Sequence, residues 1–261
     1  MKKIISFIMA VCLIFGISIS AFAEINLGAY DNNDVVDFEN YTRNLEKEKN
    51  MRNNPISRTA TPSVSITRYP QIVSYYCGPA SAYMVLKSLG KSVTSSSATL
   101  CFFDGCPDSC PYPGVNHTCR KQYTDPQITL ANAMGTNYSG TGFAVLKNTI
   151  NSYLGTSYYA LCTIENTSAG TTNLVNKASS TLEDDHPLIA HVYAKRLNRY
   201  SGSAGQTFRG HYICIYSVNV NTSNFGISDC NYYSGLGGTY GETGDTLRNA
   251  IAYYSSNNLM W

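Results

Sequence analysis

The apolar residues of this 261-residue chain change their period part-way along it, and that change limits the fold more than any other feature. Between Gly78 and Leu89, Ala82, Val85, Leu86 and Leu89 recur at helical spacing and form one apolar stripe. Pro79 suits a first helical turn, and Gly90 the position just past a helix end. The same period predicts a helix over 142–154, with Phe143, Leu146, Ile150 and Leu154 on one side and Gly155 as its stop. A third is expected over 172–183 through Leu174, Ala178 and Leu182, closed by Pro187. Beyond Pro187 the period shortens. Residues 188–193 and 212–220 are short apolar runs rich in β-branched and aromatic side chains, and 225–230 follows the turn-like Asn221-Thr222-Ser223-Asn224. A last helix is expected over 245–254. Helices first and strands afterwards is an α+β ordering.

The first 23 residues carry a different message. Lys2 and Lys3, an apolar run over 4–19 and the small residues Ala21 and Ala23 have the order of a cleaved export signal. The run is shorter than the about 20 residues a membrane span needs, so the mature chain is expected to be secreted and free of the membrane. Residues 24–62, with seven acids and five bases, read as a flexible N-terminal extension or a pro-segment covering an active site. Residues 63–261 read as one domain. Losing Lys2 and Lys3 from 19 basic residues leaves them balanced against 17 acidic ones. That balance, with no basic cluster, excludes nucleic acid and anionic membrane as electrostatic partners.

Chemistry concentrates at Tyr76-Cys77-Gly78-Pro79-Ala80-Ser81. A cysteine just before a helix start meets unpaired backbone N–H groups and the positive end of the macrodipole, both of which favour thiolate, the nucleophilic form. Gly78 is expected to let substrate approach the backbone. Such a thiolate needs an imidazole as ion-pair partner and proton donor. Of four histidines, His117 lies in a Cys-rich loop, His186 at a helix–strand junction and His191 inside an apolar run, where a core role is expected. His211 follows Gly210 and opens a strand, so it is the candidate base. If 212–220 and 225–230 form a hairpin, Asp229 falls beside His211 and can orient its ring, with Asn231 as the alternative. Gln71, six residues before Cys77, could supply an oxyanion donor from its side-chain amide.

Together, Gln71, Tyr76-Cys77-Gly78-Pro79-Ala80-Ser81, His211 before an aliphatic strand and Asp229 in Ile227-Ser228-Asp229 resemble the C39-like peptidases. The resemblance implies a papain-like cysteine peptidase fold, with a helix bearing the nucleophile packed on a C-terminal antiparallel sheet. It implies Cys77 as nucleophile, His211 as base, Asp229 as orienter and Gln71 as oxyanion donor, acting on a peptide or protein substrate. No metal or cofactor is required by this chemistry. Two other classes fit the same residues: a cysteine-dependent amidase or acyltransferase acting on cell-wall peptides, with which export and wall contact are compatible, and a non-catalytic binding module stapled by disulfides.

Eight cysteines follow the leader, and export permits disulfides. Cys101, Cys106, Cys110 and Cys119, with His117 among them, form an insert over 101–119 that reads as two disulfides or, with weaker spacing, a structural zinc site. Cys214 and Cys230 are expected to pair across neighbouring strands, leaving Cys162 unpaired and Cys77 free for chemistry.

Overall fold

A computed structural model describes residues 38–53, 61–101, 120–201, 210–233 and 235–261. The leader over 1–23, His117, Cys106, Cys110 and Cys119 lie outside these residues. The framework is a six-stranded sheet of order β3-β8-β4-β5-β6-β7, every neighbouring pair antiparallel. Its strands are β3 (Leu161–Cys162), β4 (Leu188–Tyr193), β5 (Gly210–Asn219), β6 (Asn224–Asp229), β7 (Gly238–Thr243) and β8 (Leu259–Met260). Helices α2 (Cys77–Ser88) and α4 (Phe143–Leu154) cover one face, and α5 (Ser168–Glu183) and α6 (Gly244–Ile251) cover the other. This is an α+β architecture of mixed helices and antiparallel strands.

Strand alternation sorts the two faces. Ile189, Tyr212, Cys214 and Cys230 join Val85, Leu86, Leu146 and Ile150 in one buried cluster. Ala190, Val192, Ile213, Ile215 and Ile227 join Leu174, Ala178, Leu247 and Ile251 in another. Period-two strands thus meet period-3.6 helices on both sides, which is what hydrophobic burial requires of each element. The β5–β6 hairpin turns where Asn219 Oδ1 accepts the N–H groups of Asn221 and Thr222, both at 3.0 Å, with Ser223 in the left-handed region at φ 54°.

Several boundaries differ from the expectation. Helix α5 starts a turn before residue 172 because Thr167 caps it, its side chain accepting from Gly170 N at 3.1 Å. Helix α6 stops at Ile251. Beyond the 101–119 insert comes strand β2 (Arg120–Asp125), which pairs antiparallel with β1 (Ser96–Cys101). Immediately after it comes α3 (Pro126–Met134), absent from the sequence reading although its punctuation is complete. Asp125 caps it by accepting from Gln127 N at 2.8 Å, Pro126 occupies its first turn, and Gly135 ends it at φ 61°.

Helix α1 (Phe38–Asn53) lies within the 24–62 segment and docks on the β3–β8 side of the sheet. Trp261 Nε1 donates to Asn44 Oδ1 at 3.1 Å, Lys177 Nζ pairs with Glu48 at 3.0 Å, and Arg43 donates to the Tyr159 carbonyl. The indole lies 3.4 Å below Lys177 Nζ and 4.8 Å from Lys47 Nζ, a cation–π arrangement. Trp261 is the chain's sole tryptophan, so its emission reports this docking alone. Truncation before residue 54 should red-shift that emission and leave Lys177, now buried, without its carboxylate. The expected stability loss is on the order of 3 kcal/mol, read in a thermal melt as roughly 6–12 °C. An unchanged emission maximum would show that α1 does not shelter the indole.

Candidate active site

The turn over 71–76 delivers Cys77 to the first position of α2. Tyr76 occupies the cap position but makes no side-chain cap bond, and Pro79, the third helical residue, has no N–H. The backbone N–H groups of Cys77 and Gly78 therefore begin the helix with no side chain capping them, a polarity suited to negative charge. Cys77 is 7 % exposed and not disulfide-bonded.

His211 is the second residue of β5 and Asp229 the last of β6. Register pairs Cys214 with Ser228 and Ile215 with Ile227, which brings the start of one strand diagonally beside the end of the other. His211 Nε2 donates to Asp229 Oδ1 at 2.8 Å. That bond turns Nε2 to the carboxylate and leaves Nδ1 free of it, and Cys77 is near enough to act on the charge of the ring. Burial alone would push the imidazole down. The charge and hydrogen bond of Asp229, helped by the nearby Cys77, outweigh it and raise His211 from 6.5 to about 10. Burial likewise opposes the Asp229 anion, but His211 and the surrounding donors hold the carboxyl below its ordinary 3.8.

Asp229 is fully buried and fully bonded. Oδ1 also accepts Asn231 N–H at 2.8 Å, while Oδ2 accepts the hydroxyls of Tyr200 at 2.8 Å and Tyr240 at 2.9 Å. Asn231, the alternative orienter, instead donates its side-chain amide to Tyr200 Oη at 3.0 Å. Arg68 ties down the strand end, donating from Nε to Asp229 O at 2.7 Å and from a terminal nitrogen to Asn231 O at 2.5 Å. Tyr200, Tyr240 and Arg68 escaped the sequence reading. Tyr240 lies on a strand without an apolar run, Tyr200 on a 3₁₀ turn (Asn198–Tyr200) inside an apparently polar loop, and neither carries a local signal.

Gln71 is buried at the base of the turn. Its Nε2 donates to the carbonyls of Val73 at 2.9 Å and Ser74 at 2.6 Å. Its Oε1 lies 3.6 Å from Cys230 Sγ. At rest the amide braces the turn that presents Cys77. His191 stacks on Tyr254, centroids 3.8 Å apart, and burial followed by the His211 charge pushes it down to about 3, so it stays neutral. His186 stacks on Tyr158 at 3.8 Å.

The expected Cys214–Cys230 disulfide is absent, and Cys77, Cys162, Cys214 and Cys230 are all free thiols. Register explains it: Cys214 sits opposite Ser228, so Cys230 is two residues out of line. Cys214 Sγ instead donates to Ser81 O at 3.6 Å, and Cys230 Sγ lies 3.7 Å from both Cys77 O and Tyr212 O. His211, Asp229 and Cys230 bring ligand atoms within 4.8 Å of one another, close enough for a cation. A metal there would have to displace donors already on both Asp229 oxygens and deprotonate a thiol that burial, and next the neighbouring Cys77, push well up.

The profile of the family described as Peptidase_C39 like family matches residues 63–256. The chain belongs to this family. The matched span of this C39-like chain contains Gln71, Cys77, His211 and Asp229, and begins after α1. Membership supports a cysteine-peptidase kind of function. No curated protein sequence matches the chain.

Gly78 is required by packing. A Cβ there would meet Thr141 Oγ1 at 2.5 Å and Thr141 Cβ at 2.7 Å. Thr141 cannot yield freely, because its carbonyl accepts from Tyr212 Oη at 2.7 Å and its hydroxyl bonds Thr136 Oγ1 at 2.8 Å. Gly78→Ala should therefore displace the start of α2 relative to β5, at about 1–3 kcal/mol. A roughly tenfold slower alkylation of Cys77 is expected, restored in the pair Gly78→Ala with Thr141→Gly. Full reactivity in the single variant would show that the contact is soft.

Proposed function

We propose that this protein is a secreted cysteine peptidase with a papain-like fold, hydrolysing peptide bonds through Cys77, His211 and Asp229. The observation that carries the reading is one imidazole bonded to a buried carboxylate and close enough to a free cysteine at a helix start to feel its charge. In the proposed cycle Cys77 thiolate attacks the peptide carbonyl carbon, and the oxyanion meets the Cys77 N–H. His211 Nδ1–H passes its proton to the leaving amine as the C–N bond breaks, leaving a thioester. Neutral His211 then takes a proton from water, whose oxygen displaces the Cys77 thiolate and releases the acid, restoring the ion pair. Gln71 is the proposed second donor; a bound carbonyl would draw on an Nε2–H that now faces Val73 O or Ser74 O. Export rests on the 1–23 leader.

The test incubates mature protein with a denatured protein, a peptide library and cell-wall peptide fragments, and reads new termini by mass spectrometry. New α-amino and α-carboxyl ends on the peptides are expected. Release or transfer confined to wall-fragment amides would replace peptidase by amidase or acyltransferase, and no turnover with no alkylation of Cys77 would leave a binding module.

A further inference from the structure

We propose that Tyr200 and Tyr240 are positioning residues that clamp Asp229 as a fixed anion, so that His211 keeps its counter-charge and Cys77 its reactivity into acidic solution. The inference rests on the peptidase reading and extends it to two residues 40 apart that never touch the thiol. Both phenols donate to the same oxygen, Oδ2, at 2.8 and 2.9 Å, while Oδ1 serves His211 and Asn231. With four donors the carboxylate can neither rotate nor lose its partner without breaking several bonds at once. Tyr200 is 1 % exposed and its oxygen accepts from Asn231 Nδ2, which commits its single proton to Asp229. Tyr240 comes from β7, so two separate elements close on one oxygen.

The groups bonded to the Asp229 carboxylate are His211 from β5, Tyr240 from β7, Tyr200 and the Asn231 N–H, while Cys214 on β5 and Cys230, just past β6, feel its charge through space and Glu242 lies nearby on β7. Arg68 binds the backbone carbonyl of Asp229 rather than the carboxylate. Among these only His211 offers a full positive charge to the carboxylate itself. A buried carboxylate is otherwise costly, and charge-assisted donors are what hold it ionised. Without the phenols Oδ2 would be bare and the neutral acid favoured. Once Asp229 takes a proton, burial works against the His211 imidazolium with only Cys77 to oppose it, and the ion pair weakens.

Tyr200→Phe, Tyr240→Phe and the double variant keep the ring volume and remove only the hydroxyls. The readout is the rate of Cys77 alkylation by iodoacetamide against pH on the full mature chain, which needs no substrate. The double variant should shift the acid midpoint up by roughly one pH unit, each single variant by less. The alkaline limb should stay in place, because Asp229 is ionised there with or without the phenols. An unmoved acid midpoint, or a fall uniform across pH, overturns the clamp; each single variant decides alone if the double does not fold. A wild-type Cys77 inert at neutral pH would instead overturn the peptidase reading, and the clamp with it.

Discussion

Cys77→Ala is expected to reduce peptide hydrolysis on the order of 10⁴-fold or more, to the level left by binding and oxyanion stabilisation alone. The nucleophile supplies the covalent step, and no neighbouring sulfur can replace it. Cys162 lies on β3, where burial pushes its thiol up to about 12, and Cys214 and Cys230 are fully buried and raised for the same reason. Cys77 is the thiol that acts on the charge of His211. Of Cys77, Cys162, Cys214 and Cys230, iodoacetamide at neutral pH should therefore modify Cys77 first, and the Ala variant should lose that label. Cys77→Ser should be nearly as inactive, because a hydroxyl beside this imidazolium does not ionise in the same range. Retention of hydrolysis by the Ala variant would move the chemistry elsewhere in the chain.

Asp229→Asn should lower kcat about 10²- to 10⁴-fold with a much smaller change in KM, since it alters the orientation of His211 rather than substrate contact. It should also destabilise the domain, by about 3–5 kcal/mol, because an amide nitrogen would face either the His211 donor or the two phenols. The pH dependence of stability separates this pair from general damage. Asp229 has a lowered folded pKa, so its contribution is present above 3.8 and lost as pH falls through the folded value. His211 is raised to about 10, so its contribution is full below 6.5 and drains away between 6.5 and 10. Wild-type Tm should accordingly be greatest between about pH 4 and 6.5 and decline on the alkaline side. In Asp229→Asn the carboxylate's support is gone and only Cys77 still opposes burial, so the decline between 6.5 and 10 should flatten. Parallel Tm curves for the two proteins would show that the pair is not coupled to folding.

A lesser change tests the same network from the other end. Gly78 and Tyr212 both reach Thr141, one by contact and one by a 2.7 Å hydrogen bond, so a single loop residue registers α2 against β5. Nothing near residue 141 in the sequence marks it for that purpose.

What the sequence by itself determined was whatever depends on neighbours within a turn or a hairpin. Pro79 and Gly90 bracket α2, and Cys77 falls at its start; the Asn221–Asn224 turn folds β5 onto β6, and antiparallel geometry then sets Asp229 diagonally beside His211. The same local grammar marks α3 through Asp125, Pro126 and Gly135. Tertiary structure decided the rest. Whether Cys214 meets Cys230 turns on a two-residue offset in register, which the pattern of apolar residues leaves open because both cysteines face the same side. Tyr200, Tyr240 and Arg68 converge on Asp229 from three segments, and a hydrogen bond between residues distant in the chain leaves no periodic trace in it. The charge state of His211 belongs to the same class: desolvation and the nearby carboxylate act through space, so the fold, rather than the order of residues, sets their balance.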